Sequence, residues 1–238
     1  MATLRQARYR NEPNTFGGFV EPDPASMAWL AEDAGADGIT MHVREDRRHV
    51  QIDDVQRYVE RKKTRLNLEV SLSEEMVELA LSFKPDSVCL VPENRMEVTT
   101  EGGLDVVGNL SKAREAVQAF TEKNIHTSMF IDPDEAQLEA SAKIGSPWVE
   151  LHTGSFARAW INQAGREREL NILKRGMDIG LSLGLQVNAG HGINYENVEG
   201  AKTLTAITEF NIGHSIICRS LQYGLADSVL TMRSLLNS

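Results

Sequence analysis

The chain has 238 residues, 41% hydrophobic and 25% charged, a composition that excludes a disordered or fibrous protein. Its 34 acidic residues against 25 basic ones give a net charge of −9, which argues against a wholly basic nucleic-acid surface but allows a local anion pocket. No apolar stretch approaches the ~18 residues of a membrane span, and the N-terminus lacks a secretory hydrophobic segment. Cys89 and Cys218 each sit in an apolar run, as expected of buried thiols in a reducing cytoplasm.

Residues 1–24 are polar, Arg-rich and interrupted by prolines, which reads as a loop. Helical period follows at 25–34, ended by Gly35, and a β-branched run at 38–43 (GITMHV) reads as a strand. The alternation then repeats: helix 53–63, strand 66–72, helix 73–83 opened by Ser73 with Glu74 and Glu75, and strand 87–91. Helix 110–123, strand 127–131, helix 133–144 entered through Asp132-Pro133, and strand 148–152 come next. Helix 167–183, strand 185–188, helix 195–205, strand 209–212 and helix 222–236 complete the chain, with Gly145 and Gly184 closing two of these helices.

Strands alternating with helices predict a parallel sheet, either open or closed into a (β/α)₈ barrel. No Gly-rich dinucleotide fingerprint follows the first strand, and the length suits a barrel of about 250 residues. A single TIM-barrel domain over residues 1–238 is therefore expected, although only seven strands are counted.

Barrel chemistry gathers at the C-terminal ends of the strands, and four of the six histidines fall there: His42, His49, His191 and His214. The two-residue period puts Arg44 on the same face as His42, and for a barrel strand that face is the interior. Glu69 lies inside an apolar strand, where an unpaired carboxylate is costly. It either pairs with Arg65 or Arg44 or moves protons. The glycines of N-A-G-H-G (His191, Gly192) and of Gly213-His214 are either turns or backbone N–H cradles for phosphate. T-T-E-G-G-L-D, beginning at Thr99, is a second candidate cradle. His126 and His152 lie in or beside apolar strands and read as core or supporting residues. All eight lysines fall in or beside predicted helices, so an enzyme-borne Schiff base is not expected, and no Cys–His framework or carboxylate set suggests a metal.

The segments G-I-T-M-H-V-R-E-D-R-R-H, R-L-N-L-E-V, C-L-V-P-E-N-R-M-E-V-T-T-E-G-G-L-D-V, E-L-H-T-G, V-N-A-G-H-G and N-I-G-H-S-I-I, in this order and spacing, resemble the pyridoxine 5′-phosphate synthase family. The resemblance implies a (β/α)₈ barrel with extra helices and a cytoplasmic homo-oligomer, commonly an octamer, with no nucleic-acid or membrane partner. It implies condensation of 1-deoxy-D-xylulose 5-phosphate with 3-amino-2-oxopropyl phosphate to pyridoxine 5′-phosphate, without metal or organic cofactor. By position it makes His42 and Glu69 proton acceptors and His191 a proton donor. Arg8, Arg44, His49, Thr99, Gly192, Gly213 and His214 become substrate-binding residues. In that family a first strand ending in Asn-x-Asp-His precedes A-T-L-R, where this chain has Met1. The eighth strand is thus expected upstream of a start assigned too late, and residues 11–18 look like an insertion. Two rival readings are a non-catalytic relative that keeps its phosphate sites as a binding or assembly subunit, and another phosphate-handling barrel enzyme such as an isomerase or lyase.

Overall fold

The computed structural model describes residues 2–9, 21–93 and 102–238. Residues 11–18 and Thr99 lie outside the described residues. The elements in chain order are α1 (Ala2–Tyr9), α2 (Pro24–Asp33), β1 (Gly38–His42), α3 (Ile52–Arg61), β2 (Arg65–Val70), α4 (Glu74–Phe83), β3 (Ser87–Leu90), α5 (Leu110–Thr121) and β4 (His126–Ile131). They continue as α6 (Glu135–Lys143), β5 (Trp148–His152), α7 (Gly154–Ala159), α8 (Gln163–Ser182), β6 (Gln186–Gly190), α9 (Val198–Ala201), β7 (Phe210–Asn211), α10 (His214–Tyr223) and α11 (Leu225–Asn237).

Local signals set the helix ends, although α6 starts from Asp134 rather than from the expected Asp132-Pro133, and Ser73 precedes α4 without a side-chain capping bond. Asp23 caps α2 by accepting from the Ala25 N–H, with Pro24 in the first turn, and Asp134 caps α6 by accepting from Ala136 and Gln137. Gly145 and Gly184 end α6 and α8 at φ +86° and +80°; a Cβ there would meet nothing, so it is the left-handed backbone that asks for glycine.

All seven strands run parallel in the order β1-β2-β3-β4-β5-β6-β7. Strand parity divides their side chains between two environments. In β2, Leu66, Leu68 and Val70 are fully buried against the helices, while Asn67 and Glu69 point to the barrel interior. The same division puts Met129 and Ile131 of β4 and Val149 and Leu151 of β5 in the outer core, where Tyr58, Met76, Phe120 and Leu138 of the helices meet them. Each such side chain contributes roughly 1.5–3 kcal/mol on burial.

The sheet curls into a nearly closed cylinder of seven strands among the described residues. Side chains join β7 to β1: the Thr40 hydroxyl donates to Asn211 Oδ1 at 2.7 Å, and Arg65 pairs with Glu209. This seam lies where an eighth strand is expected, and no β7–β1 ladder is formed.

Four expectations need correction. Residues 2–9 form a helix rather than a loop. Arg5 anchors it by pairing with Asp54 and donating to Gln51 Oε1 at 3.2 Å, so a residue that looks like a solvent-facing charge is buried. Cys89 is buried, but Cys218 is exposed on α10, 3.3 Å from His214 Nε2, because its turn of the helix faces away from the core. The expected helices at 195–205 and 222–236 are instead the four-residue α9 and two helices, α10 and α11, divided at Gly224 with φ +81°. His126 is exposed at the far end of the barrel, stacked 4.5 Å from Trp148, rather than in the core. No helix among the described residues is long and apolar enough to cross a membrane.

Candidate active site

The interior of this barrel is polar. Ser87 donates to Asn67 Oδ1 at 3.0 Å, Asn211 donates to Glu150 Oε2 at 2.7 Å, and the Cys89 thiol lies 3.8 Å from the same carboxylate oxygen. Barrel interiors are usually filled with branched apolar residues, and polar groups remain buried only when they are bonded or used.

Register brings His42, at the end of β1, beside Glu69 of β2. The His42 Nδ1 lies 3.8 Å from Glu69 Oε2, and Nε2 lies 3.4 Å from Oε1 of Glu93, just beyond β3. The imidazole is therefore flanked by two carboxylates. Burial pushes the Glu69 carboxyl up, and His42 partly offsets this. Neither Arg65 nor Arg44 takes up Glu69: Arg65 pairs with Glu209, and Arg44, buried, has Nε 3.9 Å from Asp46 Oδ1.

His49 packs edge-on to His42 with ring centroids 5.3 Å apart, and its Nδ1 accepts from the Val50 N–H at 2.7 Å. Burial, followed by the charges of His42 and Arg44, lowers its pKa to about 3. The ring is thus neutral at physiological pH, with its hydrogen on Nε2 as a donor.

His191 follows β6 in a left-handed conformation, φ +70°, which turns its ring towards the mouth between His152 and Phe130. Burial, then the charges of His152, Arg158 and His214, lower its pKa to about 4. Ser215 ties the following loop to the start of α10 by donating to the Ile193 carbonyl at 2.8 Å. Gly192 (φ +108°) lies on that loop, and Gly213 caps α10 with no side-chain capping bond, leaving a helix start whose first-turn N–H groups suit an anion.

The structure thus brings His42, Arg44, His49 and Glu69 together on one wall, and His191, Gly192, Gly213 and His214 on another. The side chain of Arg8, on α1, lies outside the described residues, as does Thr99. Among the described residues, no group of three His, Cys, Asp or Glu side chains is arranged to hold a metal ion.

Sequence reasoning missed Glu150. It is buried on the inward face of β5, and desolvation pushes its carboxyl well up, reinforced by the charges of Glu69 and Glu209. A Cβ on Gly190 of the neighbouring strand would come within 2.0 Å of Glu150 Oε1, so glycine there leaves the carboxyl its space. The signal was available: E-L-H carries an acid inside an apolar strand, as R-L-N-L-E-V does at Glu69.

Solved structures with related architecture include a chain of the BexX/CysO complex of Amycolatopsis orientalis, with a TM-score of 0.59 and 18% identity, covering 90% of this chain and 84% of that one. Phosphoribosyl anthranilate isomerase of Thermus thermophilus matches with a TM-score of 0.56 and 17% identity over 90% of this chain and 94% of its own. At these identities they share the fold alone. Sequence relatives are far nearer. Proteins named pyridoxine 5′-phosphate synthase from Opitutus terrae and Trichodesmium erythraeum are 52% and 50% identical, over 99% and 100% of this chain and 95% of each relative. One from Pseudoalteromonas translucida is 48% identical over 99% of this chain and 93% of its own length. The family described as pyridoxal phosphate biosynthesis protein PdxJ matches residues 1–238, and the chain belongs to that family.

Proposed function

We propose that this chain is a pyridoxine 5′-phosphate synthase of vitamin B6 biosynthesis, joining 1-deoxy-D-xylulose 5-phosphate to 3-amino-2-oxopropyl phosphate with release of inorganic phosphate and water. The observation that carries the reading is the polar barrel mouth, with the His42–Glu69 pair on one wall and His191 on the other. Ring formation from two phosphorylated ketones needs several proton transfers at different carbons, hence several acid–base groups. The aminoketone brings its own nitrogen for imine formation. This agrees with lysines that all lie away from the C-terminal ends of the strands.

In this reading His42 and Glu69 accept protons. A carboxyl raised by burial is a stronger base than an exposed one once ionised, and the imidazole beside it receives or returns the proton. His191 donates to a departing oxygen. Its low pKa leaves the ring neutral in the free protein, and an incoming phosphate that balances the surrounding positive charge raises that pKa so that the ring holds a proton to give. Glu150, whose carboxyl burial pushes well up, is placed to donate a hydrogen bond, when it holds its proton, to oxygen that gains charge. Arg44, His49 and Thr99 bind the deoxyxylulose phosphate; Gly192, Gly213 and His214 bind the aminoketone phosphate, with Arg8 contacting substrate. The protein works as one domain and as a cytoplasmic homo-oligomer.

Incubating the 238-residue chain with both substrates should yield pyridoxine 5′-phosphate, detected by its absorbance and mass. Phosphate binding without any product would instead mean a subunit that only binds.

A further inference from the structure

The roles above leave His152 unused, yet it is the most tightly held histidine of the mouth. It ends β5, is 4% exposed, and has Nδ1 2.9 Å from Oδ1 of Asp132, the residue after β4. The other Asp132 oxygen, Oδ2, accepts from the Gly103 N–H at 3.1 Å, so the carboxylate is fixed at both ends. The His152 hydrogen bond holds the Asp132 carboxyl below the usual carboxylate range. An ionised carboxylate can only accept, so Nδ1 carries the hydrogen and Nε2 is the basic nitrogen of the neutral ring.

That Nε2 is buried and has no hydrogen-bond partner among the described residues. It lies against Gly154, where a Cβ would approach it to 2.4 Å, which accounts for the glycine of E-L-H-T-G. The His152 ring lies 5.3 Å from that of His191 at an interplanar angle of 58°, and Phe130 packs 5.3 Å from the first and 6.2 Å from the second.

We propose that Asp132 and His152 are positioning residues for His191: the carboxylate orients the His152 ring, and that ring governs where His191 points and when it holds a proton. The proposal rests on the reading of His191 as the proton donor. Two imidazoles this close do not both carry charge at low cost, so their protonations are linked. Asp132 sits on the far side of His152, 2.9 Å from Nδ1, so its carboxylate fixes the ring that His191 faces. The other charged groups facing His191 are Arg158 of α7 and His214 of α10, both cationic or potentially so, and both act in the same sense as a charged His152.

The test compares Asp132→Asn, Asp132→Glu and His152→Phe with the wild-type chain. Asp132→Asn should lower kcat about tenfold to a hundredfold with KM within twofold, Asp132→Glu should recover most of the loss, and His152→Phe should resemble Asp132→Asn. Followed by NMR, the His191 titration midpoint should move by about half a unit or more in Asp132→Asn, since the ring that His191 faces has then lost its anionic partner. A wild-type chain that makes no product would remove the proposed function, and the NMR titration, which needs no turnover, would still decide the positioning role. Folded Asp132→Asn and His152→Phe proteins with wild-type kcat and an unmoved His191 midpoint would overturn the inference.

Discussion

The two walls of the mouth hold their histidines by opposite electrostatics. On the β1–β2 wall, His42 stands between two acidic side chains, with Nδ1 3.8 Å from Glu69 and Nε2 3.4 Å from Glu93. On the β5–β6 wall, His191 stands among His152, Arg158 and His214, which disfavour one. The difference teaches how a single barrel can both take and give protons at one pH. In the proposed reaction the anionic wall would receive them, and the cationic wall would hold an acid that becomes charged only when an anion arrives to balance it.

The largest test of this contrast is Glu69→Gln, which removes the base from the anionic wall and keeps its shape. Turnover should fall by about 10²-fold or more with substrate binding largely intact, and steady-state kinetics would show it as a change in kcat. Near-normal kcat would remove Glu69 from the chemistry.

Glu150 sharpens the contrast through stability. Its carboxyl is raised in the folded chain above the ordinary 4.5, so the native state keeps a proton that the unfolded chain releases as pH rises. That penalty is absent well below pH 4.5 and grows above it. Glu150→Gln should therefore raise Tm at pH 7–8 by about 2–6 °C while lowering turnover, and the thermal gain should vanish below about pH 4.5. Equal Tm values at both pH extremes would mean that the carboxyl is ionised in the native state.

The smallest effect concerns His49. Its folded pKa of about 3 lies below the ordinary 6.5, so the unfolded chain binds a proton that the native chain refuses. His49 contributes nothing to the pH dependence above 6.5 and takes stability away as pH falls from there towards 3. Denaturant titrations should show a shallower acid loss in His49→Gln than in the wild type over that window.

Much of this arrangement was legible in sequence because strand parity is a local rule. Leu66, Leu68 and Val70 alternate with Asn67 and Glu69, and that alone assigns core and interior. That His42, Glu69 and His191 share the barrel mouth was legible because the C-terminal ends of parallel strands gather on one face in this architecture. What stayed hidden depends on pairing between distant segments. Asp132 reads as a helix-start signal next to Pro133, and nothing local ties it to His152 twenty positions on. Arg5 looks like a surface charge in a polar segment until Asp54 and Gln51 are brought to it by the fold. The exposure of Cys218 likewise depends on which side of α10 meets the core, and an apolar run does not reveal it.

The side-chain seam between β7 and β1 gives the cylinder a line along which it is compliant. Elsewhere, widening the barrel means breaking ladder bonds between neighbouring strands; at the seam it means releasing the Thr40–Asn211 hydrogen bond and the partly exposed Arg65–Glu209 ion pair. Those cost about 0.5–1.5 and 0–1 kcal/mol. Asn211 also holds Glu150, so a small change in girth there is transmitted to the buried acid at the centre of the barrel. Among the described residues the cylinder is therefore stiffer around β2–β6 than along this one edge, and the softer edge is wired to the buried Glu150 carboxyl.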